Sequence, residues 1–311
     1  MTHGDLLKRG RAAFLGLAVG DALGATTEFM VPGEIRDRYG VHRTIVGGGW
    51  LRLKPGMVTD DTEMSLCIAR ALVRAGGWDL RGIADNFAMW LRSKPVDVGA
   101  ACRRGIRDYM LKGRLSAPCN EWDAGNGAVM RMTPVALLTL GDGETLARCA
   151  VEQARITHNH PLSDAACIAV GRMIQEAVLG APLQRLRAIA EELALSHTAF
   201  AFEPYRGEAS GYVAHTLQTV FHDFFAADGF EECLVRVVNR GGDADTTGAI
   251  AGSIAGAYYG PDAIPAAWRR RLDSAVRAEV EGLAEWLVRL SPSWTRSERF
   301  PDEHQEGRLP A

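Results

Sequence analysis

The chain is 311 residues long, 47 % hydrophobic and 23 % charged, with a formal net charge of -3 at neutral pH. Those proportions exclude a disordered or fibrous polypeptide, and the slightly acidic balance gives no basic footprint for nucleic acid. Six cysteines without any Cys-x-x-Cys pair exclude a zinc ribbon and a secreted disulfide scaffold, and they fit a reducing cytoplasm.

Residues Met1–Phe14 lack the long apolar core and small-residue cleavage site of a signal peptide. Helical spacing begins at about residues 7–20. The segment from Met30 to Pro55, with Gly33, Gly40 and Gly47-Gly48-Gly49, holds too many breakers for a helix and is expected to be a long ordered loop. Helices follow at about 60–75, then over the stripe Leu80, Ile83, Phe87, Trp90 and Leu91, and at about 99–112, 127–140, 144–157, 163–179, 182–196, 210–226 and 244–259. Gly76-Gly77 and Gly180 serve as stops, and the Arg269-Arg270-Arg271 cluster after Trp268 reads as a solvated helix face. A last stripe, Val276, Val280, Leu283, Trp286, Leu287 and Leu290, precedes a polar, proline-punctuated segment from Pro292 that reads as a surface tail. Strand-like alternation is nearly absent, and neither a linker nor a repeat divides the chain. The prediction is an all-α protein, one compact domain over 1–311 built from about a dozen helices. The longest uncharged run, Thr246–Pro261, is too short and too rich in Gly and Ala to span a bilayer, so no direct membrane insertion is expected.

Two acidic clusters stand at helix starts. Thr59-Asp60-Asp61-Thr62 taken alone is explained by capping, because Thr is a good N-cap and Asp in the first turn complements the helix dipole. Asn239-Arg-Gly-Gly-Asp-Ala-Asp-Thr-Thr-Gly248 repeats the arrangement far along the chain. Asp243 and Asp245, at i and i+2, would face different sides of a regular helix, so they must sit on a loop entering one if both serve one site. Carboxylates and hydroxyls are the ligands that hard divalent cations take, and four carboxylates carry enough charge for two such ions. Gly248, Gly252 and Gly256 recur every four residues and permit close helix packing without any ligand. Glu28, in Gly20-Asp-Ala-Leu-Gly-Ala-Thr-Thr-Glu-Phe29, is by itself an ordinary surface acid. Gly125-Asn126-Gly127 is either a simple turn or a helix start that offers backbone N–H groups to phosphate.

Together, GLAVGDALGATTEF, VTDDTEMSL, KPVDVGAACRRGIRDYM, DAGNGAVMRMTPVAL, SGYVAHTL and NRGGDADTTGAIAGSIAGAYYG resemble the ADP-ribosylglycohydrolase family, in order and over most of the chain. The resemblance implies an all-α fold with a dinuclear metal site and removal of ADP-ribose from a modified side chain. Thr59, Asp60 and Asp61 would then ligate from one helix start and Asp243, Asp245 and Thr246 from the other, with Asp245 bridging. It implies two divalent cations, Mn²⁺ ahead of Mg²⁺ or Fe²⁺. Glu28 matches a family glutamate near the metals, and Asp97 an acid near the scissile ribose. The nearest likeness within the family implies an arginine of dinitrogenase reductase as the modified side chain, reactivation of nitrogenase, and a PII-type signalling protein as a regulatory partner that could recruit an otherwise cytoplasmic, monomeric enzyme to a membrane.

Cleavage of the bond between ribose C1 and a guanidinium nitrogen needs charge stabilisation at the sugar and a proton for the departing nitrogen. Divalent cations would orient the ribose hydroxyls and lower the pKa of an attacking water. Asp97 is the candidate acid/base, with Glu28 the competing choice. The diphosphate would rest on Gly125, Asn126 and Gly127, with His158 and Tyr212 as further nucleotide contacts, Tyr212 by stacking on adenine. Either residue is also explicable structurally, His158 by ordering a loop and Tyr212 as a core-edge aromatic. Two alternatives stay open: another acceptor, whether serine, a nucleic acid or a free ADP-ribosyl metabolite, and a non-catalytic ADP-ribose-binding relative.

Overall fold

The computed structural model of the protein describes residues 2–299. Its first helix, α1 (His3–Gly24), starts on a reciprocal cap: the Thr2 hydroxyl accepts from the Asp5 N–H, and the Asp5 carboxylate accepts from the Thr2 N–H. From Ala12 to Gly24 every residue of α1 is buried, and so is every residue of α12 (Ala244–Tyr259) from Ala244 to Ala257. Helices with no solvated face belong at the centre of a larger protein, and these two lie against each other there. A Cβ on Gly16, Gly20 or Gly24 would collide with the carbonyls of Gly252, Gly248 and Ala244, and one on Gly256 with that of Ala12. The two backbones therefore touch over three turns, as the four-residue glycine spacing of Gly248, Gly252 and Gly256 leads one to expect.

The remaining helices wrap this pair. They are α2 (Pro32–Tyr39), α3 (Asp60–Ala75), α4 (Leu80–Arg92), α5 (Ala100–Lys112), α6 (Thr133–Leu138), α7 (Gly143–Arg155) and α8 (Pro161–Val178). After them come α9 (Leu183–Ser196), α10 (Val213–Phe225), α11 (Phe230–Val238), α13 (Ala266–Arg271), α14 (Ser274–Leu290) and α15 (Pro292–Arg299). Helix α14 packs on α1, helices α8, α10 and α11 pack on α12, and α3 is held between α14 and α4. Among the described residues the only β-pairing is two isolated bridges, Gly48 with Leu53 and Gly125 with Tyr212. The all-α reading holds, and the six cysteines are all unpaired.

Four elements depart from the expected pattern. The Met30–Pro55 loop contains α2, because Pro32 stands in the first turn, the Glu34 carboxylate accepts the Val31 N–H at 3.0 Å, and Ile35 is buried. The helix expected at 127–140 shortens to α6, since Pro134 sits where a helix begins and residues 126–132 form turns. Helix α11 went unmarked in the sequence, although its apolar face is buried between α10 and α12. The expected surface tail continues as α15, where Trp294 is buried and stacks on the His3 ring at 4.0 Å; residues 300–311 of that tail lie outside the described residues.

Candidate metal and substrate site

The crossing of α1 and α12 brings the end of the first helix to the start of the second, and the start of α3 meets them there. Three aspartates elsewhere in the chain, Asp79, Asp142 and Asp273, occupy the N-cap positions of α4, α7 and α14 and accept backbone N–H groups in the usual way. Thr59 and Asp243 hold the same position on α3 and α12, yet neither side chain caps its helix. The Thr59 hydroxyl instead lies 3.0 Å from Asp21 Oδ1, 3.2 Å from Asp61 Oδ2 and 3.2 Å from Asp245 Oδ2. One hydroxyl carries one proton, so at least two of those contacts set acceptor against acceptor. The Thr246 hydroxyl faces Asp61 Oδ2 at 3.3 Å, and Asp61 Oδ1 is buried with no hydrogen-bond partner.

Asp243 enters this cluster through two left-handed glycines. Gly241 and Gly242 have φ of 67° and 61°, and a Cβ on either would collide with a carbonyl, that of Met30 or of Ala209. The loop is tied to the end of the α1 segment by Phe29 N–H donating to Gly242 O at 2.6 Å and Gly242 N–H to Met30 O at 2.9 Å. Only Gly tolerates that backbone, which is why the acidic run begins with a glycine pair.

A cavity of about 450 Å³ opens beside the cluster, lined by Glu28, Asp60, Asp97, Asp243, Asp245 and Thr246 on its acidic side. One carboxylate oxygen from each of Glu28, Asp97 and Asp245 lies within 4.8 Å of the other two. Each acid is aimed by a separate donor. Trp50 Nε1 donates to Glu28 Oε2 at 2.6 Å, the Gly99 N–H to Asp60 Oδ2 at 3.1 Å, and Asn126 Nδ2 to Asp243 Oδ2 at 2.6 Å. Asp97 accepts the N–H of Val98 at 2.7 Å. Thr59 and Asp61 lie behind the cavity wall, against the acids that line it.

Burial and mutual repulsion push Glu28, Asp60, Asp61, Asp97 and Asp245 up. Glu28 rises to about 8, first through burial and then through the charges of Asp243, Asp97 and Asp60. Burial followed by the charge of Asp97 takes Asp60 to about 7, and burial with neighbouring carboxylates holds Asp61 and Asp245 well above the usual range. Asp97 is raised by burial and by Asp243. So many acceptor oxygens in one dry place require either protons or cations between them. Oxygen-only donors, an orphaned Asp61 Oδ1 and a hydroxyl facing three carboxylates fit hard divalent cations, and six residues of two helix starts are in reach: Thr59, Asp60, Asp61, Asp243, Asp245 and Thr246.

Beyond Asp243, which Asn126 and Gly211 adjoin, the cavity is walled by Gly125, Asn126, Gly127, His158 and Gly211. Gly125–Gly127 is a turn that does not itself start a helix. The N–H of Asn126 is donated to Gly211 O at 3.1 Å, and no helix starts until Thr133. The glycines make room for a ring, since a Cβ on Gly125 or Gly127 would come within 3.0 Å or 2.9 Å of His158. His158 is itself buried and its pKa is lowered to about 3, by burial first and then by Arg131 and Arg104. Thr157 Oγ1 lies 2.8 Å from His158 Nδ1 and accepts from the fully buried guanidinium of Arg131 at 2.8 Å. Tyr212 stands beside Gly125 at the N-cap of α10, one-third exposed, its ring against His215; Gly211, not Tyr212, lines the cavity.

Three contributors escaped the sequence reading. Asp21, fully buried within α1, accepts from the N–H groups of Thr59 and Thr62 and from the Thr62 hydroxyl, and thereby anchors the start of α3. The signal was an aspartate inside an otherwise apolar helix, which needs partners to be tolerated. Phe29 and Trp50 line the cavity with their rings 5.3 Å apart; Phe29 closes the motif around Glu28 but was given no role there, and no motif contained Trp50.

Comparison with known proteins gives a consistent result. A family model described as ADP-ribosylglycohydrolase matches residues 2–297. The chain is 54 % identical over 291 residues, 94 % of this chain and 99 % of the relative, to the ADP-ribosyl-[dinitrogen reductase] glycohydrolase of Rhodospirillum rubrum. It is 31 % identical over 304 residues, 93 % of this chain and 81 % of the other, to the ADP-ribosylarginine hydrolase Tri1 of Serratia proteamaculans. A solved ADP-ribosylglycohydrolase-related protein complex superposes with a TM-score of 0.82 at 36 % identity, covering 92 % of this chain and 99 % of that one.

Proposed function

This chain belongs to the ADP-ribosylglycohydrolase family, and on that premise we propose that it hydrolyses the N-glycosidic bond between ADP-ribose and an arginine of dinitrogenase reductase, so reactivating nitrogenase. The observation that carries the reading is the diversion of two N-cap side chains from capping to one acidic cluster: Asp243 lines the cavity with Glu28 and Asp97, and Thr59 sits behind its wall against Asp61 and Asp245. The acceptor follows from the near full-length likeness to a glycohydrolase of that substrate.

In this reading Thr59, Asp60, Asp61, Asp243, Asp245 and Thr246 would hold two divalent cations, Mn²⁺ ahead of Mg²⁺ or Fe²⁺. Bound there, the cations would supply positive charge to the ribose hydroxyls and lower the pKa of a nearby water. Asp97 would act as the acid/base at the scissile bond, with Glu28, steadied by the Trp50 indole, competing for that role. His158, neutral across the physiological range, would contact the nucleotide from the wall it shares with the Gly125–Gly127 turn, and Tyr212 would flank the adenine end. No described helix is long and apolar enough to cross a membrane. A cytoplasmic, single-domain monomer and a PII-type regulatory partner complete the reading; they rest on the family likeness.

The test is release of ADP-ribose from arginine-modified dinitrogenase reductase with Mn²⁺, and its arrest by chelation. Mn²⁺ should also raise the melting temperature of the unaltered protein and not of Asp243→Ala. Metal-independent turnover would sink the dinuclear reading, whereas turnover on serine-linked but not arginine-linked substrate would sink only the acceptor.

A further inference from the structure

At the mouth of the cavity two aromatic side chains are displayed rather than buried, Phe29 at 63 % and Trp50 at 52 % exposure. Their display is enforced. Phe29 adopts φ 61°, a left-handed backbone that bulky residues rarely take, and it is held there by its N–H donating to Gly242 O. Trp50 rides a turn closed by the Gly48–Leu53 bridge, in which Gly47, Gly48 and Gly49 are all left-handed. A Cβ on Gly49 would collide with Ala25 O, so this turn is pressed against the segment that carries Glu28 and Phe29. Strain and exposure of a large apolar ring together point to a ligand rather than to packing.

A chain of contacts runs from Tyr212, just outside the cavity lining, through the cavity. Tyr212 bridges Gly125, Asn126 donates to Asp243, and the acids Asp245, Asp97 and Glu28 converge; Glu28 then accepts from Trp50, whose ring faces Phe29. The substrate is linear as well: adenosine, diphosphate, ribose, acceptor. With the nucleotide beside Tyr212 and Gly125 and the scissile ribose at the acids, the aromatic pair stands where the acceptor leaves. We propose that Phe29 and Trp50, whose rings touch at 5.3 Å and a 48° tilt, form a one-sided clamp that offers its exposed aromatic face to the planar cationic guanidinium of the acceptor arginine. Guanidinium is delocalised, weakly hydrated and stacks on aromatic faces, whereas a serine acceptor offers neither charge nor plane. The clamp rests on the arginine-hydrolase reading and adds to it the basis of acceptor choice.

The experiment compares Phe29→Leu with Phe29→Tyr, measuring kcat and KM on free ADP-ribosyl-arginine and inhibition by free ADP-ribose. Leucine makes the same backbone demand as phenylalanine, so a melting curve matching the unaltered protein certifies its fold. Phe29→Leu should raise KM about five- to tenfold, with inhibition by ADP-ribose unchanged, while Phe29→Tyr stays within about twofold of the unaltered chain. A matching loss of ADP-ribose affinity would mean that the pair grips the nucleotide and would overturn the clamp. Unchanged KM in Phe29→Leu would overturn it too, leaving the arginine-hydrolase reading intact. Failure of the unaltered chain to turn over the arginine-linked substrate would remove that reading and the clamp with it.

Discussion

The starts of α3 and α12 present the same chemistry and are held in opposite ways. At α3, side chains do the holding: Asp21 takes the N–H groups and hydroxyl that Thr59 and Thr62 would otherwise leave unpaired, and the helix can forgo its own cap. At α12 the backbone does it, through left-handed Gly241 and Gly242 wedged against two carbonyls and through a helix pressed onto α1. Both arrangements free a cap residue for the acidic cluster. An acidic helix start is thus informative when its N-cap side chain is turned away from the helix end.

The contrast is open to direct attack. The largest expected effect is on turnover: Asp243→Ala should lower kcat/KM by about a thousandfold, since several kcal/mol of charge stabilisation go with the site. Next, Gly20→Ala should destabilise the fold by about 3 kcal/mol in a denaturant titration, because its Cβ has only the Gly248 carbonyl to meet, while Gly33→Ala, with open space around it, should leave the midpoint unmoved. Smaller still, Asp142→Ala should cost about 1 kcal/mol of stability as an ordinary cap, whereas Asp243→Ala in the metal-free protein should cost less, because it has no cap to lose and the repulsion relieved offsets the lost hydrogen bond from Asn126. A cost at Asp243 equal to that at Asp142 would erase the distinction between the two kinds of helix start.

The smallest effect concerns the wall around His158. Burial and two arginines keep His158 near 3, below its ordinary 6.5, so the folded protein holds the ring neutral while the unfolded chain protonates it as pH falls through about 6.5. That residue's contribution to stability is therefore present above about 6.5 and declines as pH drops toward 3. Its ring ¹⁵N shifts should stay constant between about pH 5 and 9. Thr157→Val removes the hydroxyl beside Nδ1 and should redistribute the tautomers, with a few-fold rise in KM; Thr157→Ser should restore both.

Much of the fold was legible in advance because buried helices declare themselves by spacing. The glycines at 248, 252 and 256 announced a close crossing, and the paired acidic runs announced where chemistry would gather. Short elements governed by a single proline or a distant partner, such as α2, α6 and α15, were read poorly, since local breakers and tertiary burial pull in different directions there. Within the site, the other acids were given roles from their motifs, but Asp21, though inside one, was not: its role depends on donors about 40 positions away at the start of α3. The same holds for Trp50, a tryptophan in a glycine turn until its indole is seen against Glu28.

The amino-acid sequence by itself determined the helical class, the acidic runs that are candidates for holding divalent cations and the glycine stripe, because periodicity, ligand chemistry and the absence of a Cβ are properties of residues and their spacing. Only the tertiary structure decided that Thr59 and Asp243 leave their caps, that His158 joins the Gly125–Gly127 turn in walling the cavity, and that two aromatic rings guard its mouth. Those are outcomes of competition among partners for each polar group and each patch of buried space, and that competition is settled only when the whole chain has packed.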